Sequence, residues 1–353
     1  MCYQFQKVPD PVTRELRNHF AGEYRIVLNT LSPLTAINVI LAIRKSMAAL
    51  SLVGCVFMMV IIWLFRKYTL FAQRLILYLT IAAFFSSISY LMQSDRPDGP
   101  LCNFEAFWVT LWDWAVLNWT CCITFNLLMS VARMTSTEKY EIMYHCVGWG
   151  IPLFVSALPF IGDHYGPAGA WCWITDEYMD GTEWRFSIWY GPLFIIIFLM
   201  FICYIYVLFT LKKMIGVYQG TQEPQPQHAE RDRRLIRKEI RPLAAYPCIY
   251  LVLSIFALIN RIQNAVAPDD PIFALVILQA ITSPMVGAIN AIVYGLDRTT
   301  RKKLNRRSVK KAFNKKREHS SDVIQEYNPA QKPTTSNNES NNDAHVAADE
   351  QQS

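Results

Sequence analysis

Charged residues are scarce in this chain of 353 residues: they make up 18% of it, whereas hydrophobic residues make up 52%. About a quarter of the residues of an average soluble domain are charged, so this composition argues against a soluble protein. The chain also lacks Gly-rich phosphate loops, metal-finger spacings and soluble catalytic motifs. His145 and Cys146 are too few ligands for an intramembrane metal hydrolase. We therefore expect neither an enzyme nor a bound cofactor.

The apolar residues are gathered into seven long runs. Most runs approach the length of about 20 residues that a helix needs to cross a bilayer. They lack the alternation of lipid-facing strands, which favours helices over a barrel. The sequence predicts an all-α membrane protein, a seven-transmembrane helix bundle whose helices occupy Ser46–Phe65, Gln73–Met92, Phe104–Ala132, His145–Ile161, Phe186–Leu211, Leu243–Ile262 and Ile272–Leu296.

Lys and Arg are concentrated in the loops on one side of the predicted bundle, which places the amino terminus outside and the carboxyl terminus inside. Arg44 and Lys45 precede the first run on the outer side. We expect them at the headgroup level rather than inside a helix that begins earlier, because two adjacent buried charges are costly. The predicted division is an outer segment 1–45, a bundle 46–296, a basic amphipathic inner helix 297–317 and a disordered tail 318–353.

Cys102 and Cys172 are the only cysteines, apart from Cys2, in the predicted outer loops. Because these loops face an oxidising compartment, we expect a disulfide that ties the second outer loop to the third helix. Such a disulfide makes the plasma membrane the expected location. Trp171 and Trp173 flank Cys172, and two interpretations stay open for them: anchors at the membrane interface or lids over a ligand cavity.

Four segments carry a family resemblance: "AGAWCWI", "RLILYLTIAAFFSSISYLM", "YGPLFIIIFLMFICYIYVL" and "INAIVYGL". They resemble the cyclic-AMP-receptor-like group of G-protein-coupled receptors, which has affinities to secretin-type receptors. The resemblance covers residues 46 to 300, and its more specific parts are the Trp-Cys-Trp and Asn-x-x-x-Tyr-Gly elements. It implies a receptor that responds to an extracellular ligand by driving nucleotide exchange on a heterotrimeric G protein.

The sequence departs from rhodopsin-type receptors at two places. The third helix ends in "MSVARMTS", so Arg133 lacks the flanking acidic residue and tyrosine of that class. The seventh contains "NAIVY", with alanine where that class has proline. These differences put a simple ionic lock in doubt. Seven residues are predicted to contact the G protein: Arg133, Arg234, Arg237, Lys238, Arg241, Asn290 and Tyr294.

Asp113 is a costly charge inside the third run and should face the bundle interior. It is either the counter-charge of a cationic ligand group or of Arg261, or the acceptor of an interhelical hydrogen bond. Thr120 shares its helix face. A cyclic nucleotide would need cationic groups, for which Arg96, Arg185 and Arg261 are the candidates in the outer part. The predicted ligand-binding residues are Asp113, Trp112, Thr120, Trp171, Trp173, Tyr190, Arg261 and Gln279.

Two other functions were compared with a receptor. A retinal protein needs a lysine in the last helix, and Ile272–Leu296 contains none. A small-solute transporter remains the alternative, although internal repeats and charged pairs at the membrane centre are not evident. The tail residues Ser320, Ser321, Thr334, Thr335 and Ser336 offer phosphorylation sites for an arrestin-like partner.

Overall fold

A computed structural model describes residues 33–94, 97–133, 135–168, 171–175, 181–220, 240, 243–266 and 272–297, together with 300–301, 307–308, 310 and 313–314. The chain divides into two compact units, Met1–Leu304 and Asn305–Ser353. The described positions of the second unit are helical. Of the predicted inner helix 297–317, only those positions and 300–301 are described as helical, and the tail 318–353 lies outside the described residues.

Within these described residues, seven helices are long and apolar enough to cross a membrane, as the hydropathy of the sequence predicts. Three of them, α4, α5 and α7, are built from consecutive pieces of different helical pitch. The helices are α1 Pro33–Leu64, α2 Phe71–Met92, α3 Pro100–Arg133, α4 from Glu138–Tyr140 through Glu141–His145, Cys146–Gly150 and Ile151–Ala157 to Leu158–Phe160, α5 from Gly181–Arg185 through Phe186–Tyr190 to Gly191–Gly220, α6 Ala245–Val266, and α7 from Phe273–Thr282 through Ser283–Met285 to Val286–Leu296.

The first helix begins at Pro33, so the expectation that it starts at Ser46 is wrong. Arg44 lies within this helix and is buried inside the bundle, with 7% of its surface exposed. The apolar segment Ile37–Ile43 continues the helix on the amino-terminal side of Arg44. The bundle accommodates this charge because aromatic rings of other elements surround it, as described below.

Prolines determine where α4 and α5 depart from regular α-helix. The π-helical turns Cys146–Gly150 and Phe186–Tyr190 directly precede the turns that contain Pro152 and Pro192. Proline has no N–H to donate to the carbonyl four residues earlier, so the hydrogen-bond ladder must be rearranged there. In α5, the Gly191 N–H donates to the Phe186 carbonyl, five residues back. The wide turn thereby brings the adjacent residues Trp189 and Tyr190 to the same cavity.

Helix α3 is central to the bundle: 72% of its most apolar window is buried, against 17% for α5. It contacts α2, α4, α5 and α6. Helices α1 and α7 approach each other through small residues. A Cβ atom on Gly287 of α7 would overlap the Cys55 Sγ and lie 2.5 Å from the Ser51 Oγ of α1. The two helices therefore meet at a distance that only glycine permits.

Between α4 and α5 the chain forms a small antiparallel hairpin of β1, Tyr165–Pro167, and β2, Cys172–Ile174. Cys172 is bonded to Cys102 in the first turn of α3, which confirms the predicted disulfide. Successive side chains of a strand point to opposite sides. Cys172 and Ile174 are fully buried on one side of β2, and Trp173 lies on the opposite side of the strand. The hairpin is thus fixed across one end of the bundle, called here the disulfide end.

Candidate functional site

A cavity of about 130 Å³ lies below the hairpin and is called the arginine cavity. A cavity needs roughly 10–15 Å³ for one water molecule, so it has room for a small polar ligand group. Every transmembrane helix except α4 contributes to its wall. Its polar and aromatic wall includes Arg44, Ser86, Tyr90, Thr110, Asp113, Trp171, Trp173, Trp189, Tyr190, Tyr250, Ser254, Arg261, Gln279 and Thr282.

The guanidinium of Arg44 lies between two aromatic rings. Its Cζ atom is 4.9 Å from the centre of the Tyr90 ring and 4.2 Å from that of Trp171. Both contacts are cation–π interactions, which strengthen when the cation is desolvated. The Arg44 Nε–H has no acceptor among the described residues. The cavity wall therefore holds a buried cation with an unsatisfied donor.

Asp113 of α3 lies on the floor of the cavity and accepts hydrogen bonds on both carboxylate oxygens. The Ser86 hydroxyl donates to Oδ1 at 2.7 Å, and the Tyr90 hydroxyl donates to Oδ2 at 2.7 Å. Both donors belong to α2. The arrangement agrees with the interhelical hydrogen bond that was one interpretation of this residue. Arg44 also interacts electrostatically with the carboxylate.

Arg261 of α6 lies on another side of the cavity and does not pair directly with Asp113 in the described structure. Its Nη2 is 3.5 Å from the Gln279 Oε1, and its Cζ is 5.1 Å from the centre of the Tyr190 ring. Gln279 also accepts a hydrogen bond of 2.6 Å from the Asn260 amide. These contacts hold the guanidinium of Arg261 in the wall between α5 and α7.

Trp171 and Trp173 both line the cavity, which agrees with the lid interpretation of these residues. Trp171 covers Arg44, and Trp173 contacts the Tyr190 ring at 5.7 Å between ring centres. The alternation of β2 explains the sequence Trp-Cys-Trp: the cysteine fixes the strand to α3 while the indoles on either side reach the cavity.

Two of the predicted ligand-binding residues lie elsewhere. Trp112 stacks on Phe85, with ring centres 4.3 Å apart, and faces α2 and α4. Thr120 lies about 10 Å deeper than Asp113 along α3 by helical rise, and its hydroxyl donates to the Val116 carbonyl at 2.7 Å. Asp113, Trp171, Trp173, Tyr190, Arg261 and Gln279 do line the cavity.

Arg44, Ser86 and Tyr90 are cavity residues that the sequence analysis did not select. The apolar segment before Arg44 was the signal that would have placed this arginine inside a helix. Nothing local marks Ser86 or Tyr90, because their role depends on a carboxylate from another helix. Of the other arginines considered, Arg185 donates to the Ile174 carbonyl at 2.8 Å, and Arg96 lies outside the described residues.

At the opposite end of the bundle, Tyr294 of α7 is buried and donates to the Gln73 Oε1 of α2 at 2.8 Å. The Lys67 Nζ lies 4.5 Å from the centre of the Tyr294 ring. Asn290 is buried, and its Oδ1 has no hydrogen-bond partner among the described residues. Arg133 is exposed at the end of α3. The remaining predicted coupling residues, Arg234, Arg237, Lys238 and Arg241, lie outside the described residues.

A different arginine forms ion pairs at this end. Arg74 of α2 contacts Glu141 of α4 through its Nε at 2.8 Å and through its Nη2 at 2.9 Å, and it also contacts Glu138 at 2.6 Å. Tyr78 donates to Glu141 at 3.1 Å. The bidentate geometry fixes the beginning of α4 to α2. The ion pairs of this cluster are formed by Arg74, whereas Arg133 is exposed at the end of α3.

Comparison with known proteins assigns this architecture. Residues 31–296 match the family described as "Slime mold cyclic AMP receptor". "G-protein coupled receptor 1" of Arabidopsis thaliana is 28% identical over 271 residues, which cover 76% of this chain and 82% of the relative. "Cyclic AMP receptor-like protein A" of Dictyostelium discoideum is 26% identical, over 71% of this chain and 62% of the relative.

A human relative, "G-protein coupled receptor 157", is 25% identical over 64% of this chain and 70% of its own length. Some relatives are longer: the match covers 56% of "Cyclic AMP receptor 2" of Dictyostelium discoideum. The family confirms the resemblance seen in the sequence, and it does not favour a transporter. The chain therefore belongs to the slime mold cyclic AMP receptor family and is a multi-pass, seven-helix G-protein-coupled receptor.

Proposed function

We propose that this receptor binds a small organic anion in the arginine cavity and transmits the signal to a heterotrimeric G protein. The observation that carries the proposal is the buried guanidinium of Arg44 with its unsatisfied Nε–H. Arg261 supplies a second guanidinium to the same cavity. Arginine forms strong charge-assisted hydrogen bonds with carboxylate and phosphate groups. An anion between these two residues would accept a hydrogen bond from the Arg44 Nε–H and would be attracted by both guanidinium groups.

The aromatic wall favours an anion that carries a planar ring. Trp171, Trp173, Trp189 and Tyr190 surround the cavity near the two arginines. Aromatic side chains bind planar rings by stacking or by edge contacts. A cyclic nucleotide combines a base with a phosphate, and several relatives are named cyclic AMP receptors. Cyclic AMP is therefore the first candidate ligand.

Replacing Arg44 with glutamine is expected to weaken the binding of cyclic AMP by about thirtyfold, because a hydrogen bond to a charged group contributes about 1.5–3 kcal/mol. The measurement is displacement of radiolabelled cyclic AMP from purified receptor. Lys45→Gln is the matched control, since it removes the neighbouring positive charge, which does not line the cavity. An equal loss of affinity for cyclic AMP in both variants, or no loss of affinity in either, would contradict the anion site.

For the orientation, we propose that the disulfide end faces outward at the plasma membrane and that the Arg133 end faces the cytoplasm. The basic loops at the latter end support this arrangement. The amphipathic segment around Arg234, Arg237, Lys238 and Arg241 would then meet the G protein, together with Arg133 and the buried pair Asn290 and Tyr294. The tail 318–353 would offer phosphorylated serines and threonines to an arrestin-like partner.

Coupling is tested by nucleotide exchange on a panel of G-protein α subunits with purified receptor in membranes. We expect exchange above background, and we expect the double variant Arg237→Glu, Lys238→Glu to lose most of it while its affinity for ligand stays within about twofold, because the cavity lies at the other end of the bundle. If the double variant drives nucleotide exchange as well as wild type, Arg237 and Lys238 do not contribute to G-protein coupling.

A further inference from the structure

The arginine cavity contains an unequal number of positive and negative groups. Among the described residues that line it, the charged ones are Arg44, Arg261 and Asp113. Arg44 interacts electrostatically with both of the others. Two guanidinium groups and one carboxylate leave a single net positive charge. Resting on the proposed anion site, we infer that Asp113 makes the cavity select ligands with one negative charge over ligands with two.

The hydrogen bonds that Asp113 accepts favour a negatively charged carboxylate at a fixed position. Both of its oxygens accept hydroxyl hydrogen bonds of 2.7 Å, from Ser86 and from Tyr90. Hydrogen bonds donated to a carboxylate stabilise its charged form, as does a nearby guanidinium, and these interactions oppose the cost of burying the charge. The carboxylate therefore serves as a resident anion that offsets part of the arginine charge.

The consequence for a ligand follows from charge neutrality in a buried site. A monoanion leaves the cavity neutral, whereas a dianion leaves one uncompensated negative charge next to Asp113. An unpaired charge away from water is strongly unfavourable, and like charges repel more strongly there than in water. Specificity is a difference between two affinities and often depends on such a repulsive element. Phosphodiesters, sulfonates and carboxylates fit this requirement, and phosphomonoesters at neutral pH do not.

The test compares cyclic AMP, a monoanionic phosphodiester, with AMP, a monoester whose second phosphate pKa is about 6. Binding of each to purified receptor is measured at pH 8 by competition. We expect wild type to prefer cyclic AMP, and we expect Asp113→Asn to shift the ratio of the two dissociation constants toward AMP by at least about tenfold. Asp163→Asn is the matched control, because it makes the same substitution at an exposed residue that does not line the cavity. Its ratio should equal that of wild type within about twofold.

A second measurement uses wild type alone and remains decisive if Asp113→Asn does not fold. Lowering the pH from 8 to 5 converts AMP to a monoanion. The preference for cyclic AMP should then shrink by about tenfold, and the cyclic AMP data correct for any titration of the protein. A preference that is unchanged by pH, or an unchanged ratio in folded Asp113→Asn, overturns charge selection. If Arg44→Gln weakens neither ligand, the anion site itself fails, and charge selection fails with it.

Discussion

Replacing Gly287 with valine is expected to remove nearly all folded receptor. Even one methyl group at this position would overlap Cys55 and the Ser51 hydroxyl, and it would lie 3.1 Å from the Ser51 carbonyl. Both neighbours belong to α1, so the larger side chain must push α1 and α7 apart. Overpacking of a dense core costs about 1–3 kcal/mol per site, and a β-branched side chain in this contact should exceed that range. The measurement is the monodisperse yield of detergent-solubilised receptor and its melting temperature.

Gly295→Ala is the control for this prediction, because it lies in the same helix. A Cβ atom there would lie 3.8 Å from a carbon of the Phe57 ring, which is an ordinary van der Waals contact. We expect Gly295→Ala to melt within a few degrees of wild type. A Gly287→Val receptor that elutes and melts like this control would show that α1 and α7 are not in close contact.

Removing the disulfide is expected to have the largest effect on ligand binding. Cys172→Ser would free the strand that carries Trp171 and Trp173, and each of these indoles forms part of the cavity wall. Buried aromatic anchors often contribute about 2 kcal/mol each to binding, so loss of both predicts about a thousandfold weaker affinity. Loss of a native disulfide also typically lowers the free energy of unfolding by about 2–5 kcal/mol.

The affinity for cyclic AMP and the melting temperature should be measured together, with Cys102→Ser as the partner variant. Both variants should behave alike, since each breaks the same bond. Cys146→Ser is the matched control because this cysteine is free and exposed. If Cys172→Ser binds ligand as tightly as Cys146→Ser, the hairpin does not hold the tryptophans in place for binding.

Much of the fold was predictable because a membrane imposes simple rules. A helix must be long and apolar to cross the bilayer, and this requirement is visible in any single segment. The pairing of Cys102 with Cys172 followed from topology alone, since few cysteines remained on the predicted outer side. These predictions depend on local composition and on the order of segments along the chain, both of which the sequence contains directly.

The cavity was only partly predictable, because its chemistry depends on contacts between distant segments. Arg44 was expected at the headgroup level, before the first helix, since two adjacent buried charges are costly. The cost is offset by the Tyr90 and Trp171 rings, which come from another helix and from the hairpin. Thr120 was selected because helical periodicity places it on the face of Asp113. Helical periodicity predicts the face of a residue but not whether the cavity reaches its depth, and Thr120 lies about two turns deeper than Asp113.

The position of Arg44 also has a consequence for biosynthesis. During translation, α1 is made before Tyr90, Asp113 and Trp171. The guanidinium of Arg44 therefore enters the bilayer without any of these partners. Arg44 lies about two turns from the beginning of the apolar span Ile37–Leu64, so its insertion penalty is smaller than the value of about 2.5–3.5 kcal/mol for an arginine at a helix centre. Each Leu, Ile or Val lowers the free energy of insertion by about 0.3–0.6 kcal/mol. The long apolar stretch of α1 offsets this penalty at first. The cation–π contact between Arg44 and Trp171 forms only when the hairpin has folded over the bundle. Helix α1 is therefore made before the other helices but reaches its full stability late in folding.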